Sequence, residues 1–403
     1  MADHRPVILQ IVPHLSTGGA EQSTLEITEA IARAGGRALI ATEGGRMEAE
    51  AIRLGGEIVR MAAASKNPLQ IMANVRLLQR LARFESIRLF HARSRAPAWS
   101  AFMASRRTGV PFIATYHGGY GGGSRLKLWY NGVMTRGALV IANSTYTAAM
   151  IRSSQGTPDA RIRIIHRGVD LRRFDPALVS AERMAALRSA WGISSSRPVV
   201  LHAARLSPRK GQRTVLEAAS TLVRDGTDGG AVFVFAGDPQ GRQDYREELQ
   251  THIRDLGLVG RALLVGHCAD MAAACRLAHV SLVASIEPEG FGRTSVEAQA
   301  MGSPVIVTRI GATPETVLAP PDVRAGNGTG WVVPPGDAAG LAQALRQALA
   351  LIPADRVAMA DRARAHVIAH FALSRMQDAT LSAYDEILGT HLAATFRSTN
   401  PTH

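Results

Sequence analysis

The sequence predicts two α/β domains, each with a parallel sheet whose strands are joined by helices. Short apolar runs alternate with helical segments along nearly the whole chain, which is the pattern of parallel sheets. A chain of 403 residues is too long for one ordinary hydrophobic core and favours two domains. The alternation breaks in a polar stretch that contains Asp175-Pro176 and Ser194-Ser195-Ser196. We therefore expect a first domain at 1–172, a linker at 173–197, a second domain at 198–372, and a C-terminal helix with a tail at 373–403.

The first domain is predicted to contain seven strands. The first strand, Val7–Val12, is a short apolar run that ends at Pro13, so we do not expect a signal peptide or a membrane span here. The others are Ala38–Thr42, Glu57–Arg60, Leu89–His91, Phe112–Tyr116, Leu139–Ala142 and Ile162–Ile165. Helices are expected to end near Arg33 and Leu54 and to span Pro68–Phe84, Pro97–Arg106, Leu128–Arg136 and Thr145–Ser154. A glycine-rich, basic and aromatic loop at 117–127 contains Gly119-Tyr120-Gly121.

The second domain is predicted to contain six strands, after a polar helix at about Ala181–Trp191. These strands are Pro198–His202, Val232–Ala236, Ala262–Val265, Val280–Val283, Val305–Thr308 and Gly330–Val333. Two helices follow, from about Ala354 to His370 and at Leu373–Leu388, and we expect residues 399–403 to be disordered. The two cysteines, Cys268 and Cys275, are too few for a disulfide framework and are expected to be reduced thiols, as in a cytosolic protein.

Positive charge is concentrated in the first domain. Residues 1–172 contain 23 basic and 11 acidic residues, whereas residues 173–403 contain 23 and 22. This segregation favours a binding surface over a general effect on solubility. The chain has no helix-turn-helix, zinc-finger or RNP-type pattern, so nucleic acid is not the expected partner. An anionic membrane surface or an anionic lipid-linked acceptor explains the charge as well.

The predicted helix Pro68–Phe84 is the clearest basic element of that domain. Arg76, Arg80 and Arg83 are spaced i, i+4 and i+7, which places them on one helical face. A single basic face is often only solvated. Together with the charge segregation, this helix favours docking on an anionic membrane, to which each nearby arginine contributes about 1 kcal/mol.

The segment from Glu287 to Val305 is the most informative part of the chain. Glu289 and Glu297 stand with seven residues between them, across a glycine-rich turn that opens a helix. Thr294 or Ser295 is the expected N-cap of that helix. Ligands of open α/β sheets bind at the carboxyl ends of strands, where this turn lies.

The same turn suits a polyhydroxylated ligand. Backbone amides around Gly290, Phe291 and Gly292 can face a phosphate or a sugar oxygen. Ionised carboxylates accept strong hydrogen bonds from hydroxyl groups. On spacing alone, two solvated acids in a surface loop, the second near a helix N-terminus, are the better explanation of the pattern.

Three further segments offer groups for such a ligand. Gly18-Gly19 follows the first strand, where glycines let a ligand approach the backbone, although strand-to-helix turns use glycine in any case. Arg205 provides a fork-shaped cation and Lys210 a compact one directly after the strand Pro198–His202. His117 follows the fifth strand, and a lone histidine is usually structural. The glycine fingerprint of nicotinamide dehydrogenases is absent, which disfavours that class.

Taken together, these segments resemble the retaining glycosyltransferases of family 4, which have the GT-B fold. The run from Glu287 to Val305 is similar to that family's signature, and Ala203–Gly211 is similar to its diphosphate-binding loop. Ile165–Asp170 resembles its Asn-Gly-Val-Asp run, with Arg167 in place of the asparagine. Matching segments extend from Gly18 to Asp337, nearly the whole chain.

The resemblance implies α/β architecture of GT-B type: two Rossmann-like parallel α/β domains facing a central cleft, with the last helix crossing back to the first domain. It also implies a nucleotide-sugar co-substrate. The implied diphosphate-binding cations are Arg205 and Lys210, which would act without a metal; the chain contains no Asp-x-Asp. Glu297 would bind the ribose. Glu289 would bind the sugar, together with the backbone of Gly290, Phe291 and Gly292. His117 would lie beside the sugar and Gly18-Gly19 beside the ligand; the implied catalytic residues are His117 and Glu289.

The expected reaction is retaining transfer of a sugar to a hydroxyl group, by direct front-face substitution. The expected acceptor is a lipid-linked, lipopolysaccharide-type or other cell-surface glycan, and the expected location is the cytoplasm or the inner face of the cytoplasmic membrane. Two alternatives remain: a sugar-nucleotide epimerase of the same architecture, and a non-catalytic protein that binds nucleotide or membrane on this scaffold. Base, sugar, acceptor and linkage are not specified by motifs that many substrates share.

Overall fold

The computed structural model describes residues 5–16, 18–118, 124–194, 196–324 and 326–399, and they form two compact units. The first unit comprises Met1–Arg167 and Leu373–His403, and the second comprises Gly168–Ala372. The prediction of a linker at 173–197 is corrected by the structure. These residues belong to the second unit, because Phe174, Val179 and Ile193 are buried in that unit's core. Their irregular spacing hid this contribution from a search for periodicity.

The first unit contains a seven-stranded parallel sheet. Its strands are β1 (Val7–Ile11), β2 (Arg37–Thr42), β3 (Gly56–Arg60), β4 (Ile87–Ala92), β5 (Phe112–Tyr116), β6 (Leu139–Ala142) and β7 (Ile162–Ile164). They are ordered β3-β2-β1-β4-β5-β6-β7, and each neighbouring pair is parallel. The order reverses between β1 and β4, which is where open α/β sheets bind ligands at the carboxyl ends of their strands.

Within the described residues, six α-helices connect these strands. They are α1 (Gly19–Arg33), α2 (Glu48–Arg53), α3 (Pro68–Phe84), α4 (Arg95–Thr108), α5 (Arg125–Asn131) and α6 (Thr145–Gln155). Asn67 caps α3 by accepting a hydrogen bond from the Leu69 amide at 2.9 Å, with Pro68 at the first helical position. The helix predicted at 128–136 is instead α5 followed by a 3₁₀ turn at Gly132–Thr135. Of the predicted glycine-rich loop, residues 119–123, and with them Gly119-Tyr120-Gly121, lie outside the described residues.

The second unit contains a six-stranded parallel sheet. Its strands are β8 (Val199–Ala203), β9 (Val232–Ala236), β10 (Ala262–Gly266), β11 (Val280–Val283), β12 (Val305–Thr308) and β13 (Gly330–Val333). They are ordered β10-β9-β8-β11-β12-β13, so the order reverses between β8 and β11. The helices are α7 (Ala181–Ala190), α8 (Gln212–Arg224), α9 (Gln243–Asp255), α10 (Met271–Leu277), α11 (Arg293–Ala300), α12 (Ala338–Leu349) and α13 (Pro353–Phe371).

Two C-terminal helices, α14 (Leu373–Leu388) and α15 (Leu392–Ser398), complete the first unit. Tyr384 is fully buried and packs with the apolar residues of α1 and of the sheet face beneath them. The Gln377 amide donates a hydrogen bond to the Glu26 backbone carbonyl at 2.8 Å. The sequence did not predict α15, and of the tail expected to be disordered, residues 400–403 lie outside the described residues.

Both sheets are covered on both faces, which explains the uninterrupted apolar runs of their strands. The prediction of two Rossmann-like α/β units with parallel sheets is confirmed. Cys268 and Cys275 are free and buried in the core of the second unit. Among the described helices, none combines the length and the apolar character that a bilayer-spanning segment requires.

Candidate active site

Glu289 and Lys210 lie together at the carboxyl ends of β11 and β8. The Lys210 ammonium is 2.8 Å from the nearer Glu289 carboxylate oxygen, which also accepts a hydrogen bond from the Ser285 hydroxyl. The Glu289 side chain is only 18% exposed. Burial opposes its ionisation, but the Lys210 charge and the two hydrogen bonds hold the pKa of Glu289 below its ordinary value. Glu289 is therefore an ionised hydrogen-bond acceptor at neutral pH.

The backbone that carries Glu289 is held by a neighbouring loop. The Ala312 amide donates to the Glu289 carbonyl at 2.9 Å. Gly311 has a φ of 62°, and a Cβ at this position would lie 2.5 Å from backbone atoms of Glu289, so only glycine fits there. Gly311 and the Ala312 amide thus fix the Glu289 loop.

The N-cap observed for α11 differs from the predicted one. Gly292, with a φ of 98°, occupies the cap position and no side chain caps the helix. The two expected caps have other partners: the Thr294 hydroxyl donates to the Ala203 carbonyl at 3.3 Å, and Ser295 accepts from Thr316 at 2.8 Å. At this glycine cap the Ser295 amide donates to the Gly292 carbonyl at 3.0 Å.

Glu297 lies in the second turn of α11 and already has a cationic partner. The Arg293 guanidinium donates to its carboxylate at 2.9 Å, one helical turn earlier, and the Glu297 side chain is 15% exposed. Sequence reasoning missed this pair, although the i, i+4 spacing signals it. The charge of Glu297 is thereby partly balanced before any ligand binds.

The loop after β8 carries the predicted phosphate-binding cations. Arg205 is exposed, and its guanidinium donates to the Gln240 side chain at 2.8 Å. A Cβ on Gly211 would lie 1.9 Å from the Ala284 carbonyl oxygen, and one on Gly237 would lie 2.0 Å from that of Ala204. These glycines allow the loops that follow β8, β9 and β11 to pack closely around the cations.

His202, at the end of β8, was not singled out by the sequence analysis. It is buried, with its ring nitrogens 2.9 Å from the Lys210 carbonyl oxygen and 3.1 Å from the Leu282 carbonyl oxygen. Burial lowers its pKa to about 4. A neutral imidazole carries one N–H, so it donates to one of these carbonyls and supports the backbone beneath Lys210.

In the first unit, Arg167 joins two predicted elements, His117 and the Gly18-Gly19 turn. Arg167 is 7% exposed. One guanidinium nitrogen is 2.6 Å from His117 Nδ1, and another donates to the Gly19 carbonyl. A Cβ on Gly19 would lie 2.2 Å from the guanidinium, so the glycine makes room for Arg167. The sequence alone did not assign a role to Arg167. In the structure its side chain holds His117 and the Gly18-Gly19 turn together.

This contact determines which nitrogen of His117 carries the proton. A guanidinium only donates, so Nδ1 accepts and the hydrogen is on Nε2. Nε2 is buried and has no hydrogen-bond partner in the described parts of the chain. Burial, with the nearby charges of Arg167 and Arg93, holds the pKa of His117 well below its ordinary value. His117 is therefore a neutral N–H donor, unsuited to act as a base through Nδ1.

A buried polar network lies at the ends of β1, β4 and β5. His91 is 2.6 Å from the Tyr384 hydroxyl through Nδ1 and 2.7 Å from the Thr115 hydroxyl through Nε2. Arg93 donates to the Gln10 side chain at 3.1 Å. Sequence reasoning missed this network, because polar residues inside apolar runs give no clue to their partners. It fixes the strand ends next to His117.

Two family models together match most of the chain. The model described as Glycosyltransferase Family 4 matches residues 17–173 and the model described as Glycosyl transferases group 1 matches residues 184–366. A glycosyltransferase from Rickettsia africae is 30% identical, with 96% of this chain and 99% of that chain aligned and a TM-score of 0.87. The chain belongs to the group 1 glycosyltransferases with the GT-B fold, which confirms the resemblance found in the sequence.

Two other relatives extend the comparison. D-inositol 3-phosphate glycosyltransferase from Saccharomonospora viridis is 33% identical over 266 residues, which are 65% of this chain and 57% of that enzyme. The chain thus matches little more than half the length of this curated relative. HepE from Anabaena in complex with UDP-glucose is 23% identical, aligns with 94% of this chain and 99% of its own, and shares the fold with a TM-score of 0.79.

The contact of Arg167 with His117 is testable by restoring the family's asparagine. In Arg167→Asn the removal of a buried charge should raise the pKa of His117 toward its ordinary value and populate the Nδ1–H tautomer, both visible by NMR of the labelled ring. Loss of this charged hydrogen bond should also lower the free energy of unfolding by about 1–3 kcal/mol. Arg172→Asn, at a side chain that is 68% exposed, is the control. An unchanged His117 spectrum in Arg167→Asn would contradict the assignment.

Proposed function

We propose that this protein transfers a sugar from a nucleotide-diphosphate sugar to a hydroxyl group of an acceptor. The observation that carries the proposal is the contact of Lys210 with Glu289, at the switch point of the second sheet, with Lys210 in the same loop as Arg205. It joins a cation suited to a diphosphate with a carboxylate suited to sugar hydroxyls. The ammonium has three N–H donors, so it can contact a phosphate while it stays bonded to Glu289.

Each site residue receives a proposed role on this basis. Arg205 and Lys210 stabilise the departing diphosphate, which removes the need for a metal ion. Glu297 binds the ribose hydroxyls. Glu289, with the backbone of Gly290, Phe291 and Gly292, binds the sugar. The His117 N–H and the Gly18-Gly19 turn are the proposed ligand-binding groups of the first unit.

The proposed stereochemical outcome is retention by front-face substitution. Retention by double displacement needs a carboxylate nucleophile and a separate acid/base carboxylate. Glu289 is bonded to Lys210 and Glu297 to Arg293, and both are assigned to the donor. His117 is a neutral donor, which also leaves it without the role of nucleophile. Isolation of a glycosyl-enzyme intermediate would overturn this mechanism.

The relatives suggest which substrates to test first. HepE is named as a complex with UDP-glucose, so UDP-sugars are the first donors. We propose a lipid-linked or cell-surface glycan as acceptor; the name of the Saccharomonospora enzyme adds a soluble phosphorylated acceptor as a second candidate. Because the named relatives are glycosyltransferases, the epimerase alternative is not favoured. Product formation that requires an acceptor would exclude both the epimerase and the non-catalytic protein.

The phosphate-binding loop can be tested with free nucleotides. UDP, GDP and ADP are first compared by thermal shift, and the best ligand is then titrated calorimetrically. Arg205→Ala should weaken its binding by about 1–3 kcal/mol, the range for a charged hydrogen bond, without loss of fold stability because Arg205 is exposed. Arg209→Ala is the matched control from the same loop, since Arg209 is paired with Glu287 at 2.6 Å and is 57% exposed. Equal affinities of wild type and Arg205→Ala would refute the role.

The two glutamates should differ in their response to substitution. Glu297→Gln should weaken binding of both free nucleotide and sugar donor, because the proposed partner is the ribose. Glu289→Gln should preserve binding of the free nucleotide and lower turnover, because the proposed partner is the sugar. Calorimetry with both ligands and a transfer assay provide the comparison. If each variant weakens both ligands to the same degree, this division of roles is wrong.

We also propose that the first unit docks on an anionic membrane through α3. Arg76, Arg80 and Arg83 are exposed on this helix, which contains no acidic residue. Leu69 and Phe84, at its two ends, are 82% and 83% exposed. Exposed apolar side chains flanking a row of arginines suit the interface between headgroups and acyl chains. The proposed working location is the inner face of the cytoplasmic membrane.

Vesicle co-sedimentation tests this docking surface. Binding should require anionic lipid and decrease with salt, and replacement of Arg76, Arg80 and Arg83 by Gln should remove about 1 kcal/mol per arginine. Replacement of Arg224, Arg242 and Arg254, exposed residues of the second unit, makes the same charge change and should leave binding intact. Equal loss in both triple variants, or equal recovery with neutral vesicles, would count against docking through α3.

A further inference from the structure

A cavity of about 710 Å³ opens in the first unit beyond the ends of β1 and β4, next to α5. This volume is in the range of small-molecule sites. The cavity lies at the switch point of the first sheet, where the strand order reverses. Its residues belong to none of the sites described above, and no role has been assigned to it so far.

The polar groups around this cavity are mainly cations and hydrogen-bond donors. Lys66, Arg95 and Lys127 line it, and none of its lining residues within the described ranges is acidic. Lys66 and Lys127 are exposed, whereas Arg95 is partly buried and donates to the Asn131 side-chain carbonyl at 3.0 Å. Three positive charges around one cavity favour an anionic ligand.

Two further lining residues carry buried donors. Asn131 is 1% exposed, and its carbonyl already accepts from Arg95, so the amide nitrogen is what it offers to a ligand. That nitrogen and the Tyr130 hydroxyl are both buried without a hydrogen-bond partner in the part of the chain that the structure describes. Buried donors are normally paired. An oxygen-rich anion in the cavity would satisfy both.

The distribution of lysines along the chain also indicates that this cavity is a binding site. The sequence contains 46 basic residues, of which only Lys66, Lys127 and Lys210 are lysines. Two of them line this cavity and the third contacts Glu289. A compact ammonium on a flexible stem follows a ligand oxygen more readily than a planar guanidinium does. The two lysines therefore distinguish this cavity from the surrounding surface, whose other basic residues are arginines.

One wall of the cavity is aromatic. Trp129 is 54% exposed and packs on Trp99, with 4.7 Å between ring centroids. The Arg136 guanidinium lies 5.4 Å from the Trp129 ring and 5.2 Å from the Trp99 ring, and these contacts hold the wall in place. An exposed flat ring beside cations suits a molecule that carries both an apolar face and an anionic group.

We infer that this cavity binds the phosphate or carboxylate group of the acceptor, with the acceptor's ring or chain against Trp129. Lys66, Arg95 and Lys127 neutralise the anion, and Asn131 and Tyr130 donate hydrogen bonds to its oxygens. The inference deepens the proposed function, because it names the chemical class of the acceptor. The anionic group belongs either to a soluble phosphorylated sugar or to the headgroup of a lipid.

Phosphate-directed labelling of lysine tests the inference without knowledge of the acceptor. Pyridoxal 5′-phosphate forms an imine with a lysine amine, which borohydride traps, and peptide mapping locates the label on the full chain. Pyridoxal, which lacks the phosphate, is the matched probe. Pyridoxal 5′-phosphate should label Lys66 or Lys127 at least tenfold faster than pyridoxal does. Inorganic phosphate should protect both positions, and UDP should not.

Lys210 is the internal reference for the proposed function. UDP should protect Lys210, and failure of that protection would count against the donor site while leaving the cavity result interpretable. If UDP protects Lys66 and Lys127 as well, the cavity belongs to the donor site and the inference is wrong. Equal labelling rates with the two probes would also overturn it.

Variants and competitors complete the test. Arg95→Gln should reduce the preference for the phosphorylated probe three- to tenfold, whereas Arg125→Gln, on α5 but outside the cavity lining, should not. A thermal unfolding curve checks that each variant is folded; if Arg95→Gln unfolds, Tyr130→Phe replaces it. Protection by glucose 6-phosphate but not by glucose indicates a soluble acceptor. Protection by phosphatidylinositol vesicles but not by phosphatidylcholine vesicles indicates a lipid. Protection by none of these compounds and no phosphate preference would refute the inference.

Discussion

The contact between Lys210 and Glu289 is the interaction on which the second unit's site depends. Both side chains are largely shielded, at 24% and 18% exposure, so each would be costly to bury alone as an ion. As a pair they remain charged, and the surrounding backbone holds the two side chains in contact. Gly311 admits the Glu289 loop, Gly211 allows the turn after Lys210 to approach β11, and His202 supports that turn from below. Replacement of either charge would leave the other shielded from water without its ionic partner.

The first unit also buries a charged side chain, but there the partner is neutral. There a buried guanidinium, that of Arg167, faces an imidazole instead of a carboxylate. The charge stays on Arg167 and the histidine stays neutral, because a second buried cation at His117 would be repelled. One unit therefore presents an ionised acceptor of hydrogen bonds and the other a neutral donor.

The sequence predicted strands better than it predicted contacts. Buried parallel strands are contiguous apolar runs, so each of the thirteen strands in the described residues was located within about two residues of its observed bounds. Six of them, including Gly330–Val333, were located without error. The linker was wrong because the buried side chains of Phe174, Val179 and Ile193 have no regular period. The motifs identified Arg205, Lys210, Glu289 and Glu297 as site residues, and the roles proposed for them stay predictions. The partner of Arg205 could not be predicted, because Gln240 lies 35 positions away and no local pattern specifies such a distance. The partner of Glu297, Arg293, could have been predicted from the i, i+4 spacing.

The return of α14 and α15 to the first unit affects the order in which the chain can fold. During synthesis domains usually fold as they emerge, beginning at the N-terminus. Here the apolar face of α1 and its sheet stays incomplete until Tyr384 and Phe396 have been made, after the whole of the second unit. Until then His91 also lacks its tyrosine partner. The first unit therefore continues to expose this hydrophobic surface throughout synthesis of the second unit.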